Sequence, residues 1–172
     1  MVETWVARGG SLALSASVLE LLGGDRFTVG IDVDIRQSNR LAIESHPLAH
    51  HIRLISGSSV DTDVVEKIYR AVGDRSPVLL LLDSMHTHDH VLQELRLYSK
   101  LVGKGSYVAV FDTVIADMPD TCFSDRPWGI EDNPKTAVQA FLSENDRCII
   151  DKDLEAKLQI TAAPSGYLRC AR

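Results

Sequence analysis

An acid followed by three histidines at alternate positions, Asp83-Ser84-Met85-His86-Thr87-His88-Asp89-His90, is the densest gathering of reactive side chains in the sequence. Clustered imidazoles and carboxylates suit a divalent cation or a general base, because imidazole titrates near neutrality and carboxylates hold hard cations. The run approaches the zinc-hydrolase spacing H-x-H-x-D-H but is one residue short, and no histidine follows His90 to complete such a site. Two assignments stay open for the histidines: all three serve one site, or only His86 faces a cleft while His88 and His90 cap the next helix. Asp112, followed by Thr113, ends another apolar run, so Asp83 and Asp112 either share a cation through oxygen ligands or Asp112 caps locally.

A second group lies near the start. Arg8-Gly9-Gly10-Ser11 opens an apolar stretch; glycines there let a backbone approach a ligand and present helix N-terminal amides to a carboxylate or phosphate, or simply form a turn. The full G-x-G-x-x-G fingerprint is absent. Asp32 closes the next apolar run, where an acid reaches ribose hydroxyls, unless Asp32 and Asp34 are only solvated strand-end acids. Arg126, Trp128, Asn133 and Lys135 either grip a polar substrate or pack a lid.

These residues need elements to position them. A strand precedes Gly9-Gly10, and a helix over 11–22 is expected, capped by Ser11, with Leu14, Val18 and Leu21 at helical spacing and Gly23-Gly24 as its stop. Strands are expected over 27–33, 52–55, 78–82 and 107–111, alternating with helices over 36–46, 61–72 and 91–101. The unbroken apolar run 78–82 suits a parallel strand covered on both faces. Residues 117–134 form a long irregular loop, a helix covers 135–142, and 148–151 with 158–162 make an antiparallel edge. Such β-α alternation predicts a doubly wound, mostly parallel α/β sheet, with ligands beyond the carboxyl ends of the strands, where Asp32, Asp83 and Asp112 stand.

Bulk properties narrow the class. At 172 residues, one domain spanning 1–172 is expected, and 45% apolar with 24% charged residues is the composition of a folded chain. A net charge of −6 without a basic cluster disfavours nucleic acid. No apolar run reaches the ~20 residues that span a bilayer, and Cys122, Cys148 and Cys170 form no CxxC pair. Reduced thiols and a cytoplasmic location are expected.

With these motifs assembled, the sequence resembles the cephalosporin hydroxylase family, which has the Rossmann-like fold of class I S-adenosylmethionine-dependent methyltransferases and is similar to rhamnosyl O-methyltransferases. The resemblance runs from Val6-Ala7-Arg8-Gly9-Gly10-Ser11 through Gly30-Ile31-Asp32-Val33-Asp34-Ile35-Arg36, the Asp83–His90 run and Phe111-Asp112-Thr113. It continues over Asp125-Arg126-Pro127-Trp128-Gly129 and Asn133-Pro134-Lys135-Thr136-Ala137-Val138. It implies an O-methyltransferase with S-adenosylmethionine and Mg2+ as cofactors and a hydroxyl of a sugar, glycolipid or small natural product as acceptor. Glu3, Gly9, Gly10, Ser11, Asp32, Ser58 and Ser59 would bind the cofactor. Of these, Gly9, Gly10 and Ser11 would line its methionine end, Asp32 its ribose, and Ser58 or Ser59 its adenine. Asp83 and Asp112 would hold the metal, with His86 and Asp83 catalytic and His86 the base. Compared with the family pattern, Trp5 stands where a glycine is expected and Phe111 where metal-dependent relatives often carry an acid. The family's N-terminal helices are expected to be missing, and a homo-oligomer is compatible with the sequence. The alternatives are a noncatalytic ligand-binding homologue with an altered cofactor loop, or an accessory component of cephalosporin hydroxylation or methoxylation.

Overall fold

The computed structural model describes residues 1–172, which form two units, Met1–Asp74 and Arg75–Arg172. The first alternates strand and helix throughout: β1 (Val2–Thr4), α1 (Gly10–Leu22), β2 (Thr28–Asp32), α2 (Gln37–Glu44), β3 (Ile52–Ser56) and α3 (Thr62–Val72). β2 pairs in parallel with β1 on one side and β3 on the other. Parallel neighbours need crossover helices, and the buried faces of α1 and α3 show why the chain supplies them. Leu12, Ala16 and Leu19 of α1 and Val64, Ile68 and Val72 of α3 are buried together with Val2, Val29 and Ile31 of the strands. Helix α1 approaches β2 so closely that a Cβ at Gly30 would sit 2.5 Å from a Leu12 methyl, so only glycine fits that strand position.

Helix α1 corrects two expectations. Gly9, with φ 81° in the left-handed region, is its N-cap, and no side chain caps it, so Ser11 lies inside the helix instead. The apolar series Leu14, Val18 and Leu21 faces outward, Leu21 being 88% exposed, while the buried face contains Leu12, Ser15, Ala16 and Leu19. The helix is apolar around most of its girth, so periodicity did not single out its core face. Helix α2 stops at Glu44, before His46-Pro47, in keeping with the restriction proline places on its predecessor.

The second unit contains β4 (Leu80–Leu82), α4 (His88–Tyr98), β5 (Tyr107–Val110), α5 (Pro134–Glu144), β6 (Cys148–Ile150), α6 (Lys152–Leu158) and β7 (Tyr167–Cys170). β4 and β5 are parallel, β7 is antiparallel to β5, and β6 is antiparallel to β7. The mostly parallel α/β class with an antiparallel C-terminal edge is thus observed.

One strand of that edge lies elsewhere than expected. Residues 158–162 are not a strand: α6 ends at Leu158, and Ile160 is 93% exposed. Asp151 starts α6 by accepting the Leu154 amide at 3.0 Å. The actual last strand alternates exposed and buried positions, with Leu168 and Cys170 inside. The long loop 117–134 also carries structure, a 3-10 turn over Asp120–Phe123. Cys148 and Cys170 are free and buried and Cys122 is free and exposed; burial pushes the Cys148 thiol up to about 12.

Candidate active site

Two groups of residues at the carboxyl ends of parallel strands can do chemistry, one in each unit. In the first, β1 leads into the loop 5–9 and then α1. The carboxylate of Asp32, at the end of β2, clamps this loop: its Oδ2 accepts the amides of Val6 at 3.1 Å and Ala7 at 3.2 Å, while Oδ1 accepts that of Asp34. Asn39 holds the same loop from α2 through the Ala7 carbonyl at 2.7 Å. These bonds fix a backbone with two non-glycine residues at positive φ, Trp5 at 144° and Ala7 at 45°. A side chain at φ 144° meets its own backbone, a conformation that glycine adopts freely. The glycine expected at position 5 from the family pattern is therefore matched by the backbone, while the residue is tryptophan, its ring half exposed.

Glu3 is buried in β1, and burial raises its carboxyl above the ordinary range, with a hydrogen bond from Ser11 opposing the rise. One of its oxygens, Oε2, has no hydrogen-bond partner. Ser11 lies in the first turn of α1, so the Glu3 carboxyl reaches the end of a helix whose first amides no side chain satisfies. Ser58 and Ser59 follow β3; Ser59 is buried and Ser58 partly so.

In the second unit, β4 ends at Leu82 and β5 at Val110, and the two strands run parallel in register, so Asp83 and Asp112 emerge from the same end. Asp112 adopts φ 55°, a left-handed conformation that Asp tolerates better than most residues, and so begins a 3-10 turn over Thr113–Asp117. The donor atoms of Asp83, His86 and Asp112 lie within 4.8 Å of one another. His86 Nε2 stands 3.2 Å from Asp112 Oδ2, and its ring meets Trp128 edge to face at 4.8 Å between centroids. Burial lowers the His86 pKa, helped by Arg126, against the opposing pull of the Asp112 and Glu94 carboxylates. Its imidazole is therefore largely neutral at pH 7, the state in which it accepts a proton.

Of the three histidines, His86 alone joins the acids. His88 is the first residue of α4, its amide donating to Asp132 and its Nδ1 2.8 Å from Thr136 Oγ1. His90 lies 3.6 Å from Glu94. Asn133 and Lys135 pack rather than grip. Asn133 is fully buried, accepts the Lys135 and Thr136 amides at the start of α5 and donates to Gly129 and Ile130 carbonyls; Lys135 pairs with Asp117 at 2.7 Å. Arg126 stands 5.5 Å from the Trp128 ring, on the side chain that borders His86.

Glu94 was not singled out from the sequence. It is fully buried, accepts the Ser84 hydroxyl at 2.8 Å, and keeps Oε2 without a partner. A carboxylate among Val91, Leu92, Leu95 and Tyr98, on the buried face of an amphipathic helix, was the available signal, since an acid is seldom buried without a task.

Residues 1–171 match the model of the family described as rhamnosyl O-methyltransferase/CmcI. The chain is 26% identical over 171 residues to a rhamnosyl O-methyltransferase of Mycobacterium bovis (strain BCG / Pasteur 1173P2), covering 98% of this chain and 65% of that protein. The same figures hold for the protein of that name from Mycobacterium tuberculosis (strain ATCC 25618 / H37Rv). The chain thus spans about 65% of the length of the curated relatives it matches. Among solved structures it resembles the MycE methyltransferase of mycinamycin biosynthesis, in complex with Mg, SAH and mycinamycin VI, at TM-score 0.63 and 16% identity, over 99% of this chain and 44% of that one. It also resembles a Corynebacterium glutamicum protein at TM-score 0.56 and 10% identity, over 99% of this chain and 71% of that one. These likenesses show the methyltransferase fold.

Proposed function

Because the chain belongs to the rhamnosyl O-methyltransferase/CmcI family, we propose that it is part or all of an S-adenosylmethionine-dependent O-methyltransferase acting on a hydroxyl of a sugar, glycolipid or small natural product. The whole-chain match supports reading residues 1–172 as one methyltransferase-like domain. The observation that carries the proposal is Glu3: a buried carboxylate with one unpartnered oxygen, at the uncapped start of α1. An amino acid's ammonium suits that oxygen, and its carboxylate suits the helix N-terminal amides. Gly10 and Ser11 would supply those amides, with Gly9 turning the backbone toward them while its own amide is committed to the Val6 carbonyl at 2.7 Å; Ser58 and Ser59 would border the adenine, and Asp32 Oδ1, which accepts one amide, has a lone pair left for a ribose hydroxyl. When bound, S-adenosylmethionine supplies an electrophilic methyl group.

The acidic cluster fits a hard cation. Asp83 and Asp112 offer carboxylate oxygens close enough to share Mg2+, which ordinarily keeps several waters and needs only one or two protein carboxylates. A magnesium ion there would lower the proton affinity of an acceptor hydroxyl. His86, kept neutral by burial, takes the hydroxyl proton as the oxygen attacks, and Asp112 steadies the resulting imidazolium. The protein's other task is positioning, since an in-line displacement gains most from holding donor and acceptor together. MycE, with Mg and SAH in its structure, is the neighbour that supports this pairing of cofactors.

A second reading follows from Trp5. An indole on a strained cofactor loop favours a binding homologue without turnover. Participation in cephalosporin hydroxylation or methoxylation rests on the sequence resemblance alone.

Methyl-labelled S-adenosylmethionine incubated with the protein, Mg2+ and a panel of rhamnosides and macrolide sugars tests the proposal. Label should pass to a hydroxyl with wild type and fall to background with Asp83→Ala. Equal transfer by both would remove the metal role; transfer to none, despite cofactor binding, would favour the noncatalytic homologue.

A further inference from the structure

The methyltransferase reading leaves unused a second cluster with metal-binding chemistry, built from Glu20 of α1 and His50 and His51 of the 3-10 turn Ala49–His51 that leads into β3. Both imidazoles converge on one carboxylate oxygen: Glu20 Oε2 lies 2.6 Å from His51 Nε2 and 3.5 Å from His50 Nε2. The three donor atoms lie within 4.8 Å of one another, and the two rings, 4.3 Å apart, are tilted by 41° so that both present Nε2 to the same spot.

The other nitrogen of His51 is also committed. Its Nδ1 stands 2.6 Å from the Arg26 carbonyl, which can only accept, so Nδ1 carries a proton and Nε2 is the nitrogen left to meet Glu20 or a cation. This is the outer-shell arrangement that fixes a metal-ligating histidine's tautomer and ring orientation. His51 is buried, whereas His50 and Glu20 are more than half exposed, so an ion would have solvent access on one side.

We propose that Glu20, His50 and His51 form a zinc site that clamps the C-terminal part of α1 to the turn entering β3. Two imidazole nitrogens and one carboxylate oxygen are a borderline donor set that suits Zn2+, with water in the fourth position, whereas Mg2+ and Ca2+ prefer oxygen ligands. Bond lengths of about 2.0–2.2 Å in tetrahedral geometry place neighbouring donors roughly 3.4 Å apart. The His50–Glu20 pair already has this spacing, at 3.5 Å, and the His51–Glu20 pair, at 2.6 Å, opens by under an ångström. Where zinc is absent, a proton on His51 Nε2 bridges to Glu20; zinc takes its place and the proton leaves to solvent. The site lies wholly within Met1–Asp74 and does not depend on the methyltransferase reading.

The test is calorimetric titration of Zn2+ into the chelator-treated full chain, with Asp83→Asn and Asp112→Asn present to remove the other cluster. Saturable binding near one ion per chain is expected, with a rise in melting temperature and no competition from millimolar Mg2+. His50→Ala and Glu20→Gln, both at exposed positions, should each weaken binding by at least about tenfold and abolish the thermal shift. If the Asp83/Asp112 background does not fold, wild type should lose one of its zinc-binding events on His50→Ala. Zinc binding unaltered by either variant, or no saturable binding at micromolar Zn2+, would overturn the proposal.

Discussion

Burial favours the neutral form of two side chains, lowering the pKa of His86 and raising that of Glu3. His86 is held neutral by burial although two carboxylates face it, so its proposed role as base has a defined pH signature. Its lowered pKa means that protonation, and loss of activity, sets in only below the ordinary histidine value. Methyl transfer should therefore be flat above pH 7 and fall through an apparent pKa under 6.5. His86→Ala should lower kcat by about 10²–10⁴-fold; a drop under threefold, or a profile that falls with rising pH, would remove it from the reaction. Glu3 is an acid raised by burial, so the unfolded chain ionises first and folding stability falls as pH climbs from about 4.5 to the raised value, then levels off. Glu3→Gln removes that penalty. It should raise Tm at pH 7.5 by about 2–4 °C per kcal/mol of relief and leave it unchanged at pH 4, while weakening cofactor binding. A lower Tm at pH 7.5 would show that ionised Glu3 is already satisfied. His86 could be picked from the sequence by type and position and Glu3 only through the family resemblance, but the protonation of neither could, because desolvation depends on neighbours distant in sequence, such as Asp112 for His86.

At the scale of elements, strand ends were easier to place than helix faces. β2, β4 and β5 end beside Asp32, Asp83 and Asp112 as their apolar runs indicate, since buried parallel strands are written in continuous apolar residues. Helix α1 misled because leucines on both sides leave no polar stripe to orient it, and the last strand was missed because its alternation spans only four residues. Glu94 escaped for a related reason: its burial is visible only once the apolar face of α4 is known. The loop between β1 and α1 yields the most pointed prediction. Trp5 occupies a glycine backbone conformation, a strain of order 1–3 kcal/mol, partly offset by the roughly 0.5–1 kcal/mol that glycine's flexibility costs. Trp5→Gly should thus leave Tm unchanged or higher, despite the loss of an indole, and should tighten S-adenosylmethionine binding. A clear fall in Tm with unaltered affinity would make the indole a packing element rather than an obstruction.

For the molecule as a whole, the α/β class and the antiparallel C-terminal edge follow from alternating elements, and the family from spaced motifs along residues 1–171. What the motifs do not determine is chemistry, because one fold hosts many activities and function lies in the site built on it. No helix is long and apolar enough to cross a membrane. The loop held by Asp32, with Glu3 and the start of α1, is the proposed S-adenosylmethionine site. Calorimetric titration of S-adenosylmethionine into the purified chain, with and without Mg2+, tests it most directly. Saturable binding near one molecule per chain is expected, weakened at least about tenfold by Glu3→Gln, a loss of ~1.4 kcal/mol. No saturable heat with either wild type or Trp5→Gly would contradict it.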